Sequence, residues 1–364
     1  MAITKVSNIR LAGIVGAVPE PVRTVQDCTE YFDEKEVLKI SQSTGVKRWH
    51  VAPSHVCVSD LCHTATERLL AELDWSRDSI DLLIFISQGP DYILPATGCI
   101  LQSRLGLSKQ CAAFDINLGC SGYVYGLWLI AHMLSSGKLN RALLLVGDTA
   151  SKTVSHLDRS AALLFGDAGA ATAIERCEEE RSMTFVFGTD GTGAKNLIIP
   201  AGGFRYRRNK SSGIPKEREN GNIRSDEQLF MDGAEIFAFT LREVSPMLKT
   251  VLKEAVWSAD DVDAFVFHQA NKFIIEYLAK RMKLPIEKVP MSLENYGNTS
   301  SASIPLTMVH TLSDKLRNES LKIVMAGFGV GYSWGACTLS CGPMVMPEII
   351  ILPENKKETD MKGQ

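Results

Sequence analysis

The sequence predicts an α/β fold built from two halves that repeat one another. Three observations lead there: strand-length apolar runs alternate with amphipathic helical segments, one helix–turn–strand unit occurs twice, and 45% of the 364 residues are apolar. A chain of that length and composition can bury an extensive core. The formal charge of −3 is spread along the chain in both signs, which gives no electrostatic reason to expect nucleic acid or an anionic membrane as partner. At the start, MAITKVSNIRLAGIVGAVPEP holds an apolar run too short to span a bilayer and broken by Gly and Pro. It has neither the long apolar region nor the cleavage site of a signal peptide, so the expected compartment is the cytoplasm.

The N-terminal half, residues 1–176, opens its repeat unit with ATERLLAELDWSRDSIDLLIFISQ. Leu69, Leu70 and Leu73 recur at helical spacing, Asp81 marks a turn, and LLIFI reads as a strand. Next, FDINLG ends a strand-like run at Gly119-Cys120-Ser121-Gly122, and the helix-like run YVYGLWLIAHML follows at once. The charged stretch ERCEEERSM, 175–183, lacks an apolar period and marks the change of copy. In the second half, residues 183–350, MLKTVLKEAVWSADDVDAFVFHQ repeats the unit, with Leu248, Val251 and Leu252 on the helix. Trp257 lies 182 residues after Trp75, and Asp263 the same distance after Asp81. RALLLVGDTAS from Arg141 also matches LKIVMAGFGVG from Leu321, 180 residues on, so the register persists over more than one element. Continuous apolar runs suit strands covered by helices on both faces, hence buried, mixed sheets. Outside the repeat, 202–228 is rich in charge, Gly and Ser and reads as a surface insertion; the polar tail 353–364 reads as disordered.

A cysteine at a helix N-terminus meets unpaired backbone N–H groups and the positive end of the helix dipole, which favour a thiolate, so Cys120 is a candidate nucleophile. His268 closes the strand-like AFVF, and Asn298 sits in the Gly- and Ser-rich NYGNTSSAS before a helix. Cys, His and Asn at the edges of regular elements form a catalytic set. Singly, His268 could satisfy a backbone group and Asn298 could form a turn. Asn271 either holds His268 or caps the helix KFIIEYLAKRM. Gly166, Asp167 and Gly169 in FGDAGAA read as a tight supporting turn. Because Cys120 and His268 come from different halves, the site is expected at their junction. The nine cysteines are expected to be reduced, and neither Cys57/Cys62 nor Cys337/Cys341 has the spacing of a metal site.

Five motifs in order, FDINLGCSG, the DRS–FGDAGAA segment 158–171, HQAN, YGNTSSAS and AGFGVGYSWG, resemble the thiolase-fold condensing enzymes, and among them the β-ketoacyl-acyl-carrier-protein synthase III family. The resemblance runs from IRLAGIVGAVP to SWGACTL. It implies a five-layered αβαβα thiolase-like architecture, a homodimer, and no cofactor besides substrates carried on CoA or on the phosphopantetheine of acyl carrier protein. It also implies that Cys120 is acylated, that His268 and Asn298 handle a malonyl thioester, and that the backbone N–H groups of Cys120 and Val330 form an oxyanion hole. The implied reaction is a decarboxylative Claisen condensation of an acyl-CoA or acyl-ACP with malonyl-ACP. Rival readings are a same-fold acyltransferase with a hydroxyl or amine acceptor and a non-catalytic partner subunit; the second cysteine of a thiolase is not evident in GFGVGYSWGACTL.

Departures from the family pattern bear on the substrate. Where CoA-primed members grip adenine with Trp and Arg, this chain has Lys39 and Ser43, losing the indole stack but keeping a cation for a phosphate. Arg159 matches a further family CoA contact, or else forms a structural ion pair. Leu94 falls where a partner's bulky side chain closes the acyl pocket. Arg205, Arg207, Arg208 and Lys210 could make a basic rim for an acidic carrier protein, or a solvated loop balanced by Glu217, Glu219, Asp226 and Glu227. These departures suggest a specialised pathway rather than bulk fatty-acid initiation.

Overall fold

The repeat unit seen in the sequence is a physical device used twice, as a computed structural model describing residues 1–354 makes plain. In the first copy helix α2 (Val58–Leu73), which follows α1 (Glu34–Thr44), ends at Asp74 in the left-handed region (φ 51). The Leu82–Ile86 strand then pairs in parallel with Arg141–Asp148. Asp81 Oδ2 accepts the N–H groups of Asn140 and Arg141 at 2.6 and 3.1 Å, and the Arg141 guanidinium lies 4.4 Å from the Trp75 ring centroid. The second copy matches: the Gly233–Ala255 helix ends at Val256 (φ 58), the Ala264–Phe267 strand pairs in parallel with Leu321–Gly329, and Asp263 Oδ2 accepts Lys322 N–H at 2.7 Å. There the Lys322 ammonium lies 5.3 Å from the Trp257 ring. Lys322 therefore answers to Arg141, one residue beyond the Leu321 that sequence matching sets there, because the carboxylate and the ring both select the cation-bearing position.

Two mixed sheets result, as the apolar runs predict. The first runs in the order Ile350–Leu352, Ile9–Pro19, Ala168–Arg176, Arg141–Asp148, Leu82–Ile86, Ala112–Ile116. The second runs Ala2–Val6, Met183–Thr189, Ser333–Cys341, Leu321–Gly329, Ala264–Phe267. Each terminal strand belongs to the sheet dominated by the opposite end of the chain: Ala2–Val6 pairs with Met183–Thr189, and Ile350–Leu352 with Ile9–Pro19.

Helix α3 (Thr97–Arg104) and α2 pack against the first sheet, while α5 (Gly233–Ala255) packs on the second with α6 (Lys272–Met282) beside it. Helix α4 (Gly122–Ser135) and, after the single turn α7 (Leu293–Tyr296), helix α8 (Ser303–Leu316) touch strands of both sheets. This explains why α4 is apolar nearly all round: Tyr123, Val124, Leu127, Ile130 and Leu134 are all buried. Such side chains contribute about 1.5–3 kcal/mol each on full burial. Gly126 lets α4 approach, since a Cβ there would stand 2.5 Å from Leu144 Cδ1 and 2.7 Å from Ile86 Cδ1.

The segment 202–228 carries its own short hairpin, Lys216–Glu217 with Ile223–Arg224. Arg224 forms a buried ion pair with Asp158 at 3.0 Å, the Ser155 hydroxyl donates to Ile223 O at 2.6 Å, and Ile223 N–H donates to Leu157 O at 3.0 Å. The segment is thus stitched to residues 155–158. Of the tail 353–364, everything from 355 on lies outside the described residues.

Candidate active site

Cys120 follows the Ala112–Ile116 strand and stands just before α4, buried at 7% exposure in the wall of a cavity of about 440 Å³. The strand Leu321–Gly329 passes close beside it: a Cβ on Gly329 would be 3.0 Å from Cys120 Sγ and 2.9 Å from its Cβ, so only glycine lets this strand pass the sulfur. The backbone N–H groups of Cys120 and Val330 reach the sulfur, and so does the Ser300 hydroxyl. The loop after that strand is braced by a chain of hydroxyls, Ser121 Oγ to Ser333 Oγ at 2.7 Å and Ser333 Oγ to Val330 O at 2.9 Å.

The helix N-terminus leads one to expect a thiolate. Burial, followed by the nearby Asp148 carboxylate, instead pushes the Cys120 thiol up to about 12, against the pull of Ser300 and the two backbone N–H groups. The resting site therefore holds a thiol. Three donors do not offset removal from water.

His268 is buried at the end of the Ala264–Phe267 strand, with Nδ1 2.8 Å from Ser303 Oγ and its ring edge-on to Phe328. Ser303 Oγ also accepts the Gln269 N–H at 3.3 Å, and because the other ring nitrogen donates to the Ser300 backbone, the imidazole carries its hydrogen on Nε2 and Nδ1 accepts from Ser303. Burial lowers the His268 pKa to about 3, partly opposed by a hydrogen bond with the Ser300 backbone, and keeps the ring neutral. Asn298 is buried too, and its Oδ1 accepts the Ser300 N–H at 3.0 Å. That contact forms the turn foreseen for GNTS and leaves the amide NH2 as the available donor. Cys120, His268 and Asn298 thus converge on one residue, Ser300, from strands and loops of both halves.

The other named residues divide. Asn271 caps α6, its Oδ1 accepting Ile274 N–H at 2.8 Å. Gly166 lies where a Cβ would stand 2.1 Å from Tyr296 O, and Asp167 accepts the N–H groups of Ala52 and Ser151; both support the site. Arg159 pairs with Glu36 of α1 at 2.7 Å, as its structural reading expects. Lys39, also on α1, is exposed. Leu94 and Ile93 are each 79% exposed and point away from their own chain's core. Sequence reading missed Ser300, Gly329 and Asp148, although Asp148 closing the apolar run RALLLVG was a signal. The cavity also takes in Phe165, Leu197, Ile198 and Leu229, an apolar lining beside the sulfur. Among the described residues no group of three or more His, Cys, Asp or Glu could hold a metal ion, and no helix is long and apolar enough to cross a membrane.

Family models for 3-oxoacyl-[acyl-carrier-protein] synthase III match residues 114–191 and, for its C-terminal part, 252–341. The β-ketoacyl-[acyl-carrier-protein] synthase III of Geobacillus kaustophilus is 34% identical over 336 residues, covering 91% of this chain and 99% of the relative. That of Desulfitobacterium hafniense is 33% identical over 331 residues, covering 90% of this chain and 97% of its own. Among solved structures, a 3-oxoacyl-(acyl-carrier protein) synthase from Burkholderia xenovorans LB400 superposes with a TM-score of 0.91 at 45% identity, covering 96% of this chain and 99% of that one. This chain belongs to the β-ketoacyl-acyl-carrier-protein synthase III family. It is a ketosynthase, an acyltransferase of fatty-acid biosynthesis, and the family implies acyl carrier protein and acyl thioesters as its substrates.

Proposed function

We propose that this chain joins an acyl group held on Cys120 to the two-carbon unit of malonyl-ACP by decarboxylative Claisen condensation. The observation that carries the reading is the convergence on Ser300 of a buried cysteine, a neutral histidine and an asparagine with a free amide. First the Cys120 sulfur displaces the carrier thiol from the acyl thioester, a near-balanced thioester exchange. Malonyl-ACP then loses CO2, and the resulting enolate oxygen takes hydrogen bonds from the Asn298 amide and from His268 Nε2–H, which turns to it from the Ser300 backbone. The carbanion attacks the acyl carbon, whose oxyanion faces the N–H groups of Cys120 and Val330, and the departing Cys120 sulfur takes up a proton. Loss of one such donor raises the barrier by roughly 3 kcal/mol.

With Arg159 occupied by Glu36 and no aromatic ring at Lys39 to stack on adenine, the acyl donor is read as an acyl-ACP. The exposed Ile93 and Leu94 suit a second copy's acyl pocket, in keeping with a homodimer. The architecture is read as five layers, αβαβα, formed from halves 1–176 and 183–350, and the setting as cytoplasmic. Intact-protein mass spectrometry after incubation with acyl-CoA and acyl-ACP donors, then malonyl-ACP, tests the proposal. A Cys120 adduct that disappears as a β-ketoacyl product forms supports it. An adduct that waits for an alcohol or amine makes the chain an acyltransferase, and no adduct from any donor leaves only the partner-subunit reading.

A further inference from the structure

One ionisable group in the cavity wall takes no part in these steps. Asp148 ends its strand with 6% exposure and lines the cavity together with Cys120 and Ser300. Its Oδ1 accepts from the Ser87 hydroxyl and the Gln88 N–H, both at 2.8 Å, whereas Oδ2 is buried without a well-formed hydrogen bond, the Ser300 hydroxyl being the donor near it. A buried carboxylate oxygen so poorly served is costly, and its retention needs a cause. The Ser300 hydroxyl stands next to both the Cys120 thiol and the Asp148 carboxylate. Ser300 is held in the left-handed region (φ 52), where a side chain is strained, by the Asn298 carboxamide.

The thiol must lose its proton for acylation, and the usual imidazole base is engaged. His268 Nδ1 is bonded to Ser303, and the ring's other partner is the Ser300 backbone. The carboxylate is the remaining acceptor in reach. We propose that Asp148 receives the Cys120 proton during acylation, relayed by the Ser300 hydroxyl; this rests on Cys120 being the acylated nucleophile. As the sulfur bonds to the acyl carbon, its S–H bond breaks and the proton passes to Ser300 Oγ, while the serine proton passes to Asp148. The bond from the acyl carbon to the carrier sulfur then breaks. The leaving thiolate takes back the proton along the same path, so one S–H replaces another and no co-reactant is consumed. Burial raises the Asp148 pKa to about 6, with Asp167 adding to the shift, and Cys62 and Cys120 are the thiols that feel its charge. Asp148 is thus a stronger proton acceptor than an exposed carboxylate, yet still ionised at neutral pH.

The test compares the parent with Asp148→Asn and Ser300→Ala, measuring rapid-quench acylation of Cys120 from pH 5 to 8 with the donor that labels the parent. Decarboxylation of malonyl-ACP in the Cys120→Ala background, with and without Asp148→Asn, reads the other half-reaction. The relay requires acylation at least tenfold slower in both single variants, loss of the parent's fall in rate below about pH 6 in Asp148→Asn, and unchanged decarboxylation. Acylation as fast or faster in Asp148→Asn would mean that the carboxylate only repels the thiolate, and overturns the relay. Equal losses in both half-reactions would make Asp148 a structural support, and also overturn it. A parent that no donor labels removes the Cys120 reading itself, a different failure from either.

Discussion

The two copies of the helix–turn–strand unit use the same frame to carry different tips. Trp75 with Arg141 and Trp257 with Lys322, Asp81 and Asp263, set the same helix–strand geometry in each. At the strand ends the chemistry parts. Counting from Arg141 and Lys322, Asp148 of the first half corresponds to Gly329 of the second, and counting from the tryptophans Ile86 corresponds to His268. One half keeps a carboxylate where the other keeps no side chain at all, and that vacancy is where the Cys120 sulfur lies. A duplicated frame can therefore specialise by what it leaves out as well as by what it adds.

The most forceful way to break this asymmetry is to give Gly329 a methyl group. Gly329→Ala brings a Cβ to 3.0 Å from the sulfur. Overpacking of this kind costs about 1–3 kcal/mol of stability. A displaced nucleophile should lower condensation by about 100-fold, measured as product formation beside thermal unfolding.

A smaller effect separates the halves by pH. Asp148 is raised to about 6, so the folded protein binds more protons than the unfolded chain between about pH 4 and 6, and this group destabilises the fold increasingly as pH rises through that window. His268 is lowered to about 3, so there the unfolded chain binds more protons, and stability is lost as pH falls below the usual imidazole range of about 6.5. Asp148→Asn should therefore be more stable than the parent at pH 7, by about 1–3 kcal/mol, with the advantage gone by about pH 4. His268→Gln should flatten the acid limb. Urea unfolding at pH 4, 5.5 and 7 checks both.

The smallest effect concerns what only the second half carries, its insertion. Arg205 and Lys210 are exposed there. Arg205→Glu with Lys210→Glu should raise KM for malonyl-ACP about threefold to tenfold at low salt while leaving kcat near the parent's, with the difference shrinking at high salt. An unchanged KM would leave these charges as a solvated loop.

Much of this was legible in the chain. A repeat half the chain long, apolar runs of strand length and a cysteine between glycines are local patterns, and the mixed sheets follow from them. Ser300, Gly329 and Asp148 were not, because their importance lies in what stands beside them. GNTSSAS and AGFGVG read as turn and strand until the fold brings both to Cys120. The thiolate expected at the helix end failed for the same reason: the sequence reports the dipole, but only the fold reports the burial that outweighs it.

The crossed terminal strands bear on how the protein is made. Ile350–Leu352 completes the edge of a sheet whose other strands lie within residues 9–176, and Val345 exchanges backbone hydrogen bonds with Ala12 and Ile14. During synthesis the first sheet must wait, one edge open, until Ile350–Leu352 has left the ribosome, and Ala2–Val6 has no neighbour until Met183–Thr189 appears. The nascent chain thus carries unpaired strand edges long after residues 9–176 have been made, and each sheet is closed by a strand from far away in the sequence.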